Sequence, residues 1–117
     1  MSGYATLTRP TKLVHTNVTR YYLPMIKTFA NKETAAVFMG ERPRRLAVNG
    51  LSTAIRKMAQ LDTVQNVNEL LIPPGNRLEK LMGDRQGQYS IRINDQWRLC
   101  FRFVEGHAYD VEIVDYH

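Results

Sequence analysis

QYSIRINDQWRLCFRFVEGHAYDVEIVDYH (residues 88–117) alternates apolar and polar side chains with a period of two. Tyr89, Ile91 and Ile93 share one face, and Ser90 and Arg92 take the other. Further on, Trp97, Leu99, Phe101 and Phe103 oppose Arg98, Cys100 and Arg102. Tyr109, Val111 and Ile113 then continue the apolar face, against Asp110 and Glu112. Three such runs separated by turn residues predict an antiparallel meander with one apolar face. Register follows from parity, because a slip of one residue flips every side chain. A turn at 94–96 sets Ile93 opposite Trp97, Ile91 opposite Leu99, Tyr89 opposite Phe101 and Arg92 opposite Arg98. A second turn centred on Gly106 pairs Phe101 with Val111, Leu99 with Ile113 and Arg102 with Asp110. It leaves Val114 beside Arg98 and carries Tyr116 to the face of Arg98.

An apolar sheet face needs a cover, and the upstream sequence supplies two helices. NKETAAVFMG has Asn31 to cap it and Gly40 to end it. NGLSTAIRKMAQLDTV places Leu51, Ala54, Ile55, Met58, Ala59 and Leu61 on one helical stripe, with Arg56 and Lys57 off it. Ahead of both, MIKTF from Met25 reads as a short strand. Between the helices and the meander, residues 66–87 form a connector with a Pro73-Pro74-Gly75 stop and a short strand near Leu78–Leu81. The fold class is therefore α+β: two N-terminal helices packed on a small, mainly antiparallel sheet, in two layers.

At 117 residues and 44% hydrophobic content the chain makes one domain with its own core. The single cysteine, Cys100, excludes an internal disulfide, suits a reducing cytoplasm and reads as structural. No apolar stretch reaches the length of a membrane span, and the first 24 residues lack the apolar block of a signal peptide. Those residues hold five Thr, two Pro and three basic residues with no acid, and they lack helical periodicity. The expected division is an extension over 1–24 and a functional domain over 25–117. His15, His107 and His117 are scattered without ligand spacing, so no metal site is expected. A net charge of +5 is compatible with nucleic acid or an acidic protein partner.

On the polar face of the meander Arg102 receives an acidic partner by register, whereas Arg92 and Arg98 face each other without one. Like charges directly opposite on a sheet are unfavourable. An anion bridging them removes the penalty, since guanidinium forks match phosphate. The alternative is that both splay into solvent. The chain closes on Asp115, Tyr116 and His117, three proton-active groups at the end of an apolar strand.

PPGNRLEKLMGDRQGQYSIRINDQWRLCFRF (residues 73–103) and VEIVDYH (residues 111–117) closely resemble the HigB branch of the RelE/ParE toxin superfamily, the plasmid maintenance system killer proteins. The resemblance runs from Met25 to His117. It implies a RelE-like two-layer sandwich and the toxin of a type II toxin–antitoxin pair, a cytoplasmic endoribonuclease that cuts mRNA in the ribosomal A site. The implied chemistry needs neither metal nor cofactor: the RNA 2′-OH attacks the adjacent phosphorus and leaves a cyclic phosphate. Implied partners are a helix-turn-helix antitoxin like HigA, the ribosome and mRNA, with operator DNA reached only through the antitoxin complex and no membrane. Arg98 matches the arginine expected to meet transition-state charge, and Asp115, Tyr116 and His117 match the terminal active-site residues. Where some relatives carry His and Lys three residues apart before GDR, this chain has Glu79 and Met82, which makes Glu79 the proton-transfer candidate there. Arg92, Arg85, Arg56 and Lys57 are candidates for RNA phosphate binding; their other reading is an ordinary solvated surface, with Arg85 as turn chemistry. Two other functions fit the same fold: a non-catalytic DNA gyrase inhibitor, as in the ParE branch, and a weakly toxic co-regulator of the operon.

Overall fold

The computed structural model describes residues 25–44, 46 and 49–115. Two helices, α1 (Lys32–Phe38) and α2 (Leu51–Leu61), precede four strands: β1 (Glu79–Lys80), β2 (Tyr89–Arg92), β3 (Trp97–Val104) and β4 (His107–Asp115). The strands form one antiparallel sheet in the order β1-β2-β3-β4. The helices cover one face of it, α1 against β4 and α2 against β3 and α1. The α+β architecture expected from the sequence is the one observed.

Local chemistry explains each element. Asn31 caps α1 by accepting from the Thr34 N–H at 2.8 Å, and Gly40 (φ +92°) ends it in the left-handed region that glycine tolerates. In α2, Ala54, Met58 and Leu61 are buried and Leu51 and Ile55 pack against the core; Ala59 is exposed instead of joining the stripe. Gly50 (φ +80°) precedes α2, where a Cβ would meet Asn94 Nδ2 at 3.2 Å. That approach lets Asn94 donate to the Asn49 carbonyl at 2.9 Å, tying the β2–β3 turn to the helix layer. The core joins Phe29, Val37, Met58 and Leu61 to Ile91, Leu99, Phe101 and Val111 from the sheet.

The first hairpin has the expected register: Tyr89 opposes Phe101, Ile91 opposes Leu99 and Arg92 opposes Arg98. The second departs from it. Leu99 opposes Ile113 and Arg98 opposes Val114 as expected, but Arg102 opposes Tyr109 and Phe103 opposes Ala108. Asp110 and Val111 together stand against Phe101, a β-bulge with Asp110 at φ +55°. The cause lies in the turn. Glu105 (φ +50°) and Gly106 (φ +82°) form a tight two-residue loop with the positive φ values of a type I′ turn. That loop is one residue shorter than the apolar alternation requires, and the bulge restores the register. As a result Ala108 replaces Tyr109 on the core face, and Arg102 lies 5.8 Å from the Tyr109 ring. The Arg102–Asp110 ion pair survives at 3.7 Å, between two half-exposed side chains.

The MIKTF segment makes two isolated parallel bridges to β4, Ile26 with Ala108 and Phe29 with Val111, instead of a continuous strand. The bulge sits between them, and Thr28 Oγ1 accepts the Asp110 N–H there at 2.8 Å. Buried Asp62, just after α2, accepts from Met25 N and Ile26 N through Oδ1 at 3.0 and 2.9 Å. Thr34 Oγ1 likewise accepts from Ile113 N at 3.1 Å and joins α1 to the sheet.

Asp62→Ala strands the buried Ile26 amide and leaves Met25 N only the longer bond to the Asp62 main-chain carbonyl at 3.3 Å. It is expected to lower the unfolding free energy by about 1–3 kcal/mol, with Asp62→Asn costing less because it keeps Oδ1. Urea titration with an unchanged m-value checks this; equal stability of wild type and Asp62→Ala would show the clamp to be idle.

Candidate active site on the outer face of the sheet

The face of the sheet opposite the helices carries Ser90 and Arg92 from β2, Arg98, Cys100 and Arg102 from β3, and Glu112 and Val114 from β4. Two-residue β1 extends it, because Glu79 pairs with Ser90. Parity thus places Glu79 on the same face as Arg98, and turns Lys80, the partner of Tyr89, to the other side.

Arg98 is the centre of this face. It is only 8% exposed. Its Nε donates to Ser90 Oγ at 2.8 Å and its Nη2 to the Arg77 carbonyl at 2.7 Å. Glu79 Oε1 lies 3.8 Å from Nη2. At that separation, with Glu79 53% exposed, the pair is a weak surface contact that leaves the carboxylate open to solvent. Arg98 is therefore a rigid cation, oriented by a hydroxyl and a main-chain carbonyl.

The carbonyl comes from a tight corner. Asn76 N donates to the Pro73 carbonyl and Arg77 N to the Pro74 carbonyl, at 2.9 and 3.0 Å. Arg77 then adopts φ +48° and turns its own carbonyl toward Arg98. Asn76 is wholly buried. Its Nδ2 donates to Leu70 O and Gln60 Oε1 at 3.0 and 3.1 Å, and its Oδ1 accepts from Lys57 Nζ of α2.

The other expected residues divide. Arg92 stands opposite Arg98, but it has an acidic partner after all, Asp95 three residues on. The turn that reverses the chain thus supplies a carboxylate that the strand pattern does not. Lys57 lies near Arg92 and Arg56; burial, and then the charges of Arg56 and Arg92, hold its ammonium below the ordinary lysine range. Arg56 itself is exposed and donates to Thr53 Oγ1 at 3.2 Å. Arg85 reaches the same sheet face further along, where its Nη1 donates to Gln88 Oε1 at 3.0 Å and Glu112 Oε1 at 3.3 Å.

Asp115 opposes Trp97, so register turns it to the alternate face from Arg98. Its exposed carboxylate accepts from Gln96 Nε2 at 3.1 Å. Tyr116 and His117 lie outside the described residues. Met82 is 77% exposed. Cys100 is buried beneath this face, and burial pushes its thiol up, Arg85 and Arg98 opposing the shift and Glu112 adding to it. Among the described residues, no three His, Cys, Asp or Glu side chains converge to hold a metal ion, and no helix is long and apolar enough to cross a membrane.

Sequence parity brought Arg98 and Arg92 to one face, and the structure adds Glu79, which the family resemblance alone had singled out. Sequence reasoning missed Ser90, Asn76 and the Arg77 carbonyl. Ser90 had a signal, a small hydroxyl beside Arg92 on a polar strand face. A main-chain acceptor has none.

Residues 27–117 match a family described as the RelE-like toxin of type II toxin–antitoxin system HigB. The chain is 39% identical over 85 residues to Toxin HigB-1 of Vibrio cholerae serotype O1, covering 72% of this chain and 90% of that protein. It is 31% identical over 97 residues to Endoribonuclease HigB of Proteus vulgaris, covering 80% of this chain and all of that protein. With a match that spans every described element but Ile26 of the first bridge, the chain belongs to the HigB family of RelE-like toxins from type II toxin–antitoxin systems.

Proposed function

We propose that this toxin is a ribosome-dependent mRNA endoribonuclease, working in the cytoplasm and neutralised by a helix-turn-helix antitoxin like HigA. The observation that carries the reading is Arg98, a buried guanidinium locked by Ser90 Oγ and the Arg77 carbonyl on a polar sheet face. The name of the Proteus vulgaris relative supports RNA cleavage as the activity.

Cleavage by the 2′-OH proceeds as follows. A base removes the hydroxyl proton, the 2′ oxygen bonds to phosphorus, and the bond to the 5′ oxygen breaks. A 2′,3′-cyclic phosphate remains on one product, and an acid gives the 5′ oxygen its proton. The phosphorane has more negative charge on its equatorial oxygens than the diester had. A cation fixed before the reaction stabilises that charge without reorganising, and the more so where water is excluded. Arg98 takes this role. Arg92, across the strand pair, leaves Asp95 to meet the substrate backbone, with Lys57 near it, Arg56 next to Lys57 on α2 and Arg85 further along the face. His117, as an imidazole, is the natural proton-transfer group, with Tyr116 and Glu79 as its complement. Asp115, held by Gln96 on the alternate face, serves to fix the strand from which Tyr116 and His117 follow.

Two measurements test this reading. On programmed ribosomes, wild type is expected to cut mRNA in the A site and to do so only with ribosomes present. Arg98→Ala should lose activity by about 100-fold or more, and Arg98→Lys should recover only part, since an ammonium lacks the fork. Growth arrest by a folded protein that makes no cuts would move the assignment to another target such as DNA gyrase. Deleting His117 should cost about 10²–10⁴-fold in cleavage rate, the range of a general acid–base group, with an unchanged urea midpoint. Full activity of that truncation would remove the terminus from the mechanism.

A further inference from the structure

Asn76 and Arg77 are consecutive, and each holds a cation from a different layer of the molecule. The Asn76 carboxamide oxygen takes the ammonium of Lys57 from α2. The Arg77 carbonyl takes the guanidinium of Arg98 from β3. Neither group has room to drift. Asn76 is fully buried and its Nδ2 is held by Leu70 O and Gln60 Oε1, while both residues are pinned by backbone hydrogen bonds to Pro73 and Pro74.

A buried carboxamide satisfied on both ends is a rigid spacer, because turning it would break every bond at once. An ammonium at the end of four methylenes is by contrast a mobile charge. Held at Asn76, Lys57 no longer samples solvent freely. Among the described residues, the charges that act on it are Arg56 from its own helix and Arg92 from β2, the latter paired with the exposed Asp95. Desolvation and these neighbours act against its charge, and Asn76 Oδ1 acts for it. Such a cluster gains most from a polyanion that lies across all three.

We propose that Asn76 is a positioning residue of the RNA site, which sets the Lys57 ammonium at a fixed place relative to Arg98 so that both cations meet one RNA backbone. The proposal rests on the reading of this face as an RNA site. Asn76 touches no substrate; it acts through Lys57.

The test has two arms. In the first, a single-stranded RNA oligonucleotide is added to isotopically labelled full chain at low salt, and the Asn76 side-chain amide is followed by NMR. Buried as it is, this amide is expected to shift on RNA addition in wild type and to stay unmoved in Lys57→Gln. No shift in wild type, or the same shift in both proteins, overturns the proposal, and neither readout needs a substitution in the buried corner. In the second arm, cleavage on programmed ribosomes is compared among wild type, Lys57→Gln, Asn76→Ser and the double variant. Each single change should raise the half-saturating concentration by about tenfold, the effect of one charge-assisted contact, with the maximal rate kept. The double variant should be no worse than Lys57→Gln alone. Additive losses would make Asn76 a merely structural residue and sink the proposal. Absence of cleavage by wild type would sink the endoribonuclease reading, and the NMR arm would still decide the role of Asn76.

Discussion

A guanidinium that is 8% exposed cannot remain in a sheet unless acceptors surround it. Much of this molecule is arranged around that requirement for Arg98. Ser90 must be small and hydroxylic, because its Oγ takes Nε. The connector between α2 and the sheet must bend at residues 73–77 so that the Arg77 carbonyl reaches Nη2. That bend is closed by its own backbone hydrogen bonds, and the buried Asn76 side chain binds Leu70 O and Gln60 in the same corner. Removing the charge would leave oriented acceptors with nothing to accept, so the site and the connector are one construction.

The helix layer is attached to the sheet by a few polar contacts at its margins as well as by the apolar core. Asp62 holds Met25 and Ile26, Thr34 holds Ile113, and Asn94 holds Asn49. Each satisfies a backbone group at the edge of the core, where neither helix nor sheet hydrogen bonds reach it. The result is that α2, which carries Lys57, has a defined position relative to β3, which carries Arg98.

Most of the sheet was legible because burial on one face leaves no freedom of register. The first hairpin followed directly from Ile91, Leu99 and their neighbours. The second was misread by one residue beyond Cys100. Two local rules conflict there: apolar alternation asks for a three-residue loop, and Glu105-Gly106 favours a two-residue one. The bulge at Asp110 satisfies both, and aspartate is among the few residues that accept its left-handed backbone. At the site, parity was sufficient to set Arg98 opposite Arg92, whereas Glu79 was reached through the family resemblance and its face by its pairing with Ser90. The Arg77 carbonyl was not readable, since every residue has one and only the turn decides where it points. The Arg92–Asp95 pair was within reach, because the two lie at i and i+3 across a turn.

The two ends of the sheet are closed differently. On one side β1 is only two residues long and offers little ladder to extend. On the other, residues 25–30 lie along β4, but their two bridges are interrupted where Asp110 turns its N–H to a threonine hydroxyl in place of a main-chain acceptor. An incoming strand would find a stub at one border and an irregular, already occupied ladder at the other. Both are ways in which β-proteins escape edge-to-edge aggregation. The same bulge that corrects the hairpin thus also bears on solubility, which matters for a chain with an exposed Leu71, Ile72 and Met82 on its surface.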